Sequence, residues 1–155
     1  MESRLYLINM TPEPILTFLL ICCSSFIGPR MGVYDGELNY CPPTPNCVSS
    51  QSWKWNPLHS IKPYAYENIS REEAFNQLKT LLDSKENVHV TSDPNNYYIK
   101  TFYFTKVFRF PDKVEFLFDE KTPTVQIRSA SVFGIFDIFH NRVRLEYIRR
   151  ELDWK

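Results

Sequence analysis

Apolar positions along this chain change their period several times, and each change marks an element. Residues 15–27 form an uncharged apolar run of about thirteen. As a helix it reaches roughly 20 Å, short of the roughly 30 Å hydrocarbon core of a bilayer. Pro12 and Pro14 ahead of it and Gly28 and Pro29 behind it delimit a separate segment. Further along, Ser70 and Glu73 match a capping box, in which the serine oxygen accepts from an exposed amide and the glutamate reaches back. Ala74, Phe75, Leu78, Leu81 and Leu82 follow at helical spacing and predict a helix over 71–83. Residues 88–91 read as a short strand and residues 93–96 as a turn.

Residues 97–110 are rich in aromatic and β-branched side chains and predict a long strand. Pro111, Asp112 and Lys113 predict a turn into a strand over 114–118, and residues 119–123 turn the chain again into a strand over 124–131. A last helix over 141–152 places Leu145, Ile148 and Leu152 on one face and the i, i+4 pair Glu146 and Arg150 on the other. The sum is one α+β domain. It has an antiparallel meander of three to four strands, packed by an N-terminal and a C-terminal helix and preceded by a Pro/Cys-rich loop. Alternation puts Tyr98, Phe102, Phe104, Phe108 and Phe110 on one face of the long strand, and Tyr97, Ile99, Tyr103 and Val107 on the other. Both faces are largely apolar, interrupted by Lys100, Thr101, Thr105, Lys106 and Arg109. Either helices or the N-terminal loop cover the second one, or it borders a cavity, a partner or lipid.

Composition narrows the class. The 155 residues are 43% hydrophobic, enough for one folded core. Lys plus Arg and Asp plus Glu balance at 18 each, so the chain lacks the basic surplus expected of a nucleic-acid binder. No solenoid repeat, low-complexity tract or glycine-rich phosphate loop is present. The apolar run suits a signal peptide, which divides the chain into a leader or anchor at 1–30 and a domain at 31–155. Translation from Met1 or from Met10 fits this division. Cys22 and Cys23 are candidate lipid-attachment sites; an uncleaved anchor and a buried helix are the other readings. The expected setting is membrane-associated and exported.

Three prolines separate Cys41 from Cys47 and keep this loop out of helix or central strand. The two cysteines can reach the roughly 5.5 Å Cα separation of a disulfide, worth about 2–3 kcal/mol in an oxidising compartment. A zinc pair with His59, a catalytic thiol and two free thiols are the alternatives. His59, His89 and His140 form no ligand spacing, and Ser49 and Ser50 lack a nucleophile-elbow setting. No metal or cofactor is predicted. Asn68, Ile69 and Ser70 match a glycosylation sequon, relevant only in a eukaryotic secretory pathway. The most polar stretch beside a strand end holds Arg128, Ser129, Ser131, Asp137, Asn141, Arg142 and Arg144. In one reading Arg128 and Arg142 clamp an anionic head group. In the other, Arg128 pairs with Asp137, while Asn141 or the serines cap the last helix.

The segment 32–38, with Gly32, Val33, Asp35, Gly36 and Leu38, is followed by Cys41, Pro42, Pro45, Asn46, Cys47, Val48, Ser49 and Ser50. Together they resemble the family catalogued as domain of unknown function 1499. The resemblance continues through Ile61, Lys62 and Pro63, through Val114, Glu115 and Phe116, and through 127–131. It then takes in Gly134, Asp137, Asn141, Arg142 and Arg144, covering roughly 32–152. Val132 stands where the family has an arginine and Phe139 where it has a glycine. The resemblance implies an exported or lumenal protein and no particular reaction. Three functions follow from the residues. The first is a membrane-tethered binding module for an apolar or amphipathic ligand such as a lipid. The second is an interaction protein docking through the Pro/Cys loop. The third is an enzyme, which needs Arg128, Asp137 and Asn141 to converge on one point.

Overall fold

The computed structural model describes residues 30–52, 56–104, 110–132 and 138–155. The leader with Cys22 and Cys23, and also Val107, Phe108 and Asp137, lie outside these residues. Among the described residues, no helix is long and apolar enough to cross a membrane.

In chain order the elements are β1 (Val33–Tyr34), β2 (Glu37–Leu38), β3 (Cys47–Ser49), β4 (Tyr64–Ala65) and α1 (Arg71–Asp83). There follow β5 (Val88–Asp93), β6 (Tyr98–Phe104), β7 (Pro111–Phe118), β8 (Thr124–Ser131) and α2 (Ile138–Glu151). The fold is α+β, and β5 to β8 form the antiparallel meander. The sheet is larger than three to four strands: it has six, because β3 and β4 both pair with the outer edge of β8. Two- and three-residue strands are too short to leave an alternation pattern, so the sequence concealed them. A second correction concerns Pro111, Asp112 and Lys113, which open β7 rather than forming a turn. Proline is tolerated as the first residue of a strand, and Phe104 pairs with Pro111; residues 105–109 of the expected long strand lie outside the described residues.

Helix α1 has the predicted bounds. Ser70 Oγ accepts from the Glu73 amide at 3.1 Å, and Ala74, Phe75, Leu78 and Leu82 are its buried stripe. Helix α2 begins three residues earlier than expected at Ile138 and buries Leu145 and Ile148. Its Glu146 pairs with Arg149 at 3.5 Å rather than with Arg150. Both helices lie on one face of the sheet. Ile99, Val114, Phe116, Phe118, Val125 and Ile127 meet them there, and Tyr64, Tyr66 and Trp154 close the core at ring spacings of 5.6–6.2 Å.

The opposite face is covered differently. A β1–β2 hairpin turns through Asp35 and Gly36, both at positive φ (52° and 79°), as a two-residue turn of the Asp-Gly type requires. The hairpin lies against β7 and β8 and buries Leu38. Over β6 the same face is half-buried at Tyr98, Lys100, Phe102 and Phe104. Coverage by the N-terminal segment is therefore real but partial.

Candidate functional site

Register decides which polar residues can meet. Ser129 pairs with Val114 and Ser131 with Asp112, so both serines face the helices. There Ser129 Oγ donates to Asn141 Oδ1 at 2.5 Å, and Asn141 Nδ2 donates to Ser131 Oγ at 2.9 Å and to the Asn46 carbonyl at 3.2 Å. Arg144 Nη1 donates to Asn141 Oδ1 at 3.0 Å and to Ser129 Oγ at 3.1 Å, while its Nη2 pairs with Asp112. Asn46 Nδ2 returns to the Ser131 carbonyl at 2.9 Å. This network ties four segments together: the disulfide loop, β7, β8 and α2. Asn141 sits inside the first turn of α2 rather than at its cap.

Arg128 is elsewhere. It alternates with Ser129 and so faces the hairpin, across from Glu115 on β7. Arg128 Nη1 pairs with Glu115 Oε2, and neither side chain has any solvent exposure. Glu115 Oε1 also accepts from Tyr98 Oη at 2.6 Å and from the Gly32 amide at 2.7 Å. Gly32 needs to be glycine to aim that amide, since its φ is +134°. Arg142 is on a third surface, donating to the Pro57 carbonyl at 2.9 Å and to that of Ser60 at 2.7 Å. The expected clamp by Arg128 and Arg142 does not form, because one side chain is sealed under the hairpin and the other pins a loop. Among the described residues the partner of Arg128 is Glu115; Asp137, the expected one, lies outside them. Arg128 and Asn141 lie on opposite faces of the sheet, which removes the convergence the enzymatic reading required.

Cys41 and Cys47 form a disulfide with Cα atoms 5.5 Å apart. It consumes both thiols, so the zinc, catalytic-thiol and free-thiol readings of this pair fall. His59 Nδ1 donates to the Cys47 carbonyl at 2.8 Å. Among the described residues, no group of three or more potential metal ligands is assembled. An apolar recess of about 370 Å³ beside the disulfide is lined by Tyr40, Pro42, Pro43 and His59.

A larger cleft, about 700 Å³, opens between the hairpin and the turn end of the sheet. Tyr98 and Leu117, paired across β6 and β7, face it from the sheet, and Val33 faces it from the hairpin. Asp93 and Asn96 of the β5–β6 turn, Asp119, Glu120 and Lys121 of the β7–β8 turn, and Arg71 supply the polar lining. Hydrogen bonds from the Asn96 side chain to Asp93, and from the Lys121 amide to Asp119, hold both carboxyls below their usual range. Both stay ionised at neutral pH. Arg71 donates to the Phe118 carbonyl at 2.6 Å and lies 4.0 Å from the Tyr97 ring centroid.

Burial raises the phenol of Tyr64, of Tyr98 (with Glu115 adding to the effect) and of Tyr103. The sign follows directly. An unfolded tyrosine ionises near pH 10, whereas these three stay neutral in the fold. The stability they contribute is therefore complete below about pH 10 and is lost as pH rises toward their folded values. Absorbance at 295 nm, followed with far-UV dichroism, should show these three phenolates appearing only together with unfolding. Their titration near pH 10 with the fold intact would contradict the burial described here.

No curated protein and no solved structure matches the chain. The family model described as "Protein of unknown function (DUF1499)" matches residues 37–152, from β2 to the residue after α2, and takes in Glu115, Arg128 and the buried network. The chain belongs to that family.

Proposed function

We propose that this domain is a non-enzymatic binding module that takes a small amphipathic ligand in the cleft under the β1–β2 hairpin, held at a membrane on the exported side. The observation that carries the reading is the lining of the cleft. Tyr98, Leu117 and Val33 offer apolar surface, and the charged turns and Arg71 stand around it. The volume of about 700 Å³ falls in the range of small-molecule sites, roughly 300–1,000 Å³. An acyl segment lying on Tyr98 and Leu117 gains about 0.8 kcal/mol for each methylene removed from water, while a polar head remains among the turns. The apolar leader at 15–27 supports the tether, and the Cys41–Cys47 disulfide supports an oxidising compartment.

The test is native mass spectrometry of gently extracted protein, followed by titration with dodecanoate and a short-chain lysophospholipid. A co-purifying amphiphile is expected. Val33→Asp, a change on an exposed hairpin position, should weaken binding about tenfold, or roughly 1.4 kcal/mol. A ligand-free protein that ignores both probes would end this reading. A second reading, docking on a protein partner through the Pro/Cys loop, is favoured by the apolar recess at Tyr40, Pro42 and Pro43 and by the exposure of Tyr40 and Leu58. A stoichiometric protein neighbour in the same spectra, in place of a small molecule, would select it.

A further inference from the structure

Arg128 is the largest fully buried side chain described, yet only part of its hydrogen-bonding capacity is used. Nη1 serves Glu115, whereas Nε and Nη2 have no partner among the described residues. Each unmet buried donor costs about 1–3 kcal/mol, and native interiors rarely leave such groups empty. These two atoms are no random pair. They form the side-on fork of the guanidinium, two parallel N–H directions that match two oxygens of one carboxylate or phosphate. Glu115 cannot supply those oxygens: one accepts from Nη1 of Arg128 and the other from Tyr98 and Gly32.

Charge points the same way. Among the described residues on this face, Lys100 of β6 and Arg128 of β8 flank the carboxylate of Glu115 on β7. Lys100 is its register neighbour and Arg128 its ion-pair partner. Glu37 of the hairpin is exposed to solvent. Two cations thus stand across from one carboxylate; water would satisfy the two donors but leave that surplus, whereas an oxyanion does both.

We infer that the Nε/Nη2 fork of Arg128 is a binding site for one small oxyanion, a carboxylate or phosphate group, closed over by the β1–β2 hairpin. This site is separate from the cleft, whose described lining does not include Arg128. With no solvent exposure at Arg128, the ion enters when the hairpin opens. Its strands are two residues each, and short elements of this kind open at low free energy.

The experiment uses the full chain at constant ionic strength, with inorganic phosphate or acetate replacing chloride. Thermal midpoint is recorded beside the ¹⁵N–¹H resonance of the Arg128 Nε–H. Saturable stabilisation by about 5 °C or more, with a downfield shift of that resonance, is the expected result. A response to phosphate alone assigns the site to phosphate groups, and a response to acetate alone to carboxylates. Arg128→Lys keeps the charge but loses the fork, and should abolish the response. Where that variant fails to fold, the wild-type resonance decides. Midpoints indifferent to either anion, with the Nε–H resonance unmoved, would overturn the inference and leave the cleft reading untouched.

Discussion

Replacing Glu115 with glutamine should destabilise the domain by about 3–5 kcal/mol, the cost of leaving a buried charge without its partner. The substitution keeps the shape of the side chain and removes only the negative charge. The Arg128 guanidinium, sealed between β8 and the hairpin, then has no carboxylate to face. Tyr98 and the Gly32 amide would still find an acceptor in the glutamine oxygen, so the loss is electrostatic rather than steric. Against the 5–15 kcal/mol that holds a typical domain together, this is enough to leave the variant barely folded. The measurement is the urea midpoint at unchanged slope. The double change Glu115→Gln with Arg128→Met should recover most of the loss, because the unpaired charge is gone while the glutamine oxygen still serves Tyr98 and the Gly32 amide. A cost near zero for Glu115→Gln would mean that the pair is hydrated and that the hairpin does not seal it. Should an oxyanion occupy the Arg128 fork, phosphate ought to rescue Glu115→Gln more strongly than it stabilises the parent.

Much of this arrangement was readable in the chain, and the failures have definite physical causes. Helix α1 was fixed by local chemistry, Ser70 and Glu73 at its start and the Ala74 to Leu82 stripe along it. Strand β8 and the meander followed from β-rich runs between turn residues. The polar cluster was grouped by closeness in sequence, which is the wrong metric for a strand. A period of two sends Arg128 away from Ser129 and Ser131, and that much could have been deduced. On α2, Asn141, Arg144, Leu145 and Ile148 follow the helical period, which announces that Asn141 and Arg144 share the buried face while Arg142 does not. Glu115 carried a warning, a carboxylate within the apolar run 114–118. Its partner could not be named, since pairing across β7 and β8 depends on a register set by the intervening turn. The hairpin was signalled by Asp35-Gly36, the strongest short-range turn signal there is. It was hidden by strands too short to show alternation.

The other large effect should come from breaking the Cys41–Cys47 bridge. Loop-closure entropy for so short a loop gives about 2–3 kcal/mol, and here the loop does more than restrain the unfolded chain. Asn46, inside it, accepts from the Ser131 amide at 2.9 Å and from Asn141 Nδ2 at 3.2 Å, and donates to the Ser131 carbonyl at 2.9 Å. Freed of the bridge, residues 42–46 would pay ordering entropy to keep those bonds, and Ser129, Asn141 and Arg144 would lose their outer support. Cys41→Ala is the informative variant. It leaves Cys47 as a buried thiol, a residue that packs as a small hydrophobe, so only the cross-link is removed. A loss of about 2–4 kcal/mol is expected. Amide exchange should rise at Ser131 and Ser49, the latter bonded to the His59 carbonyl beside β3. Pairs deep in the meander, such as Ile99 with Phe116, should stay protected, because their opening follows global unfolding. Reduction of the parent protein should reproduce both changes. If Cys41→Ala matched the parent within about 0.5 kcal/mol, with unaltered exchange at Ser131, the loop would be held by its hydrogen bonds alone and the bridge would be incidental to the fold.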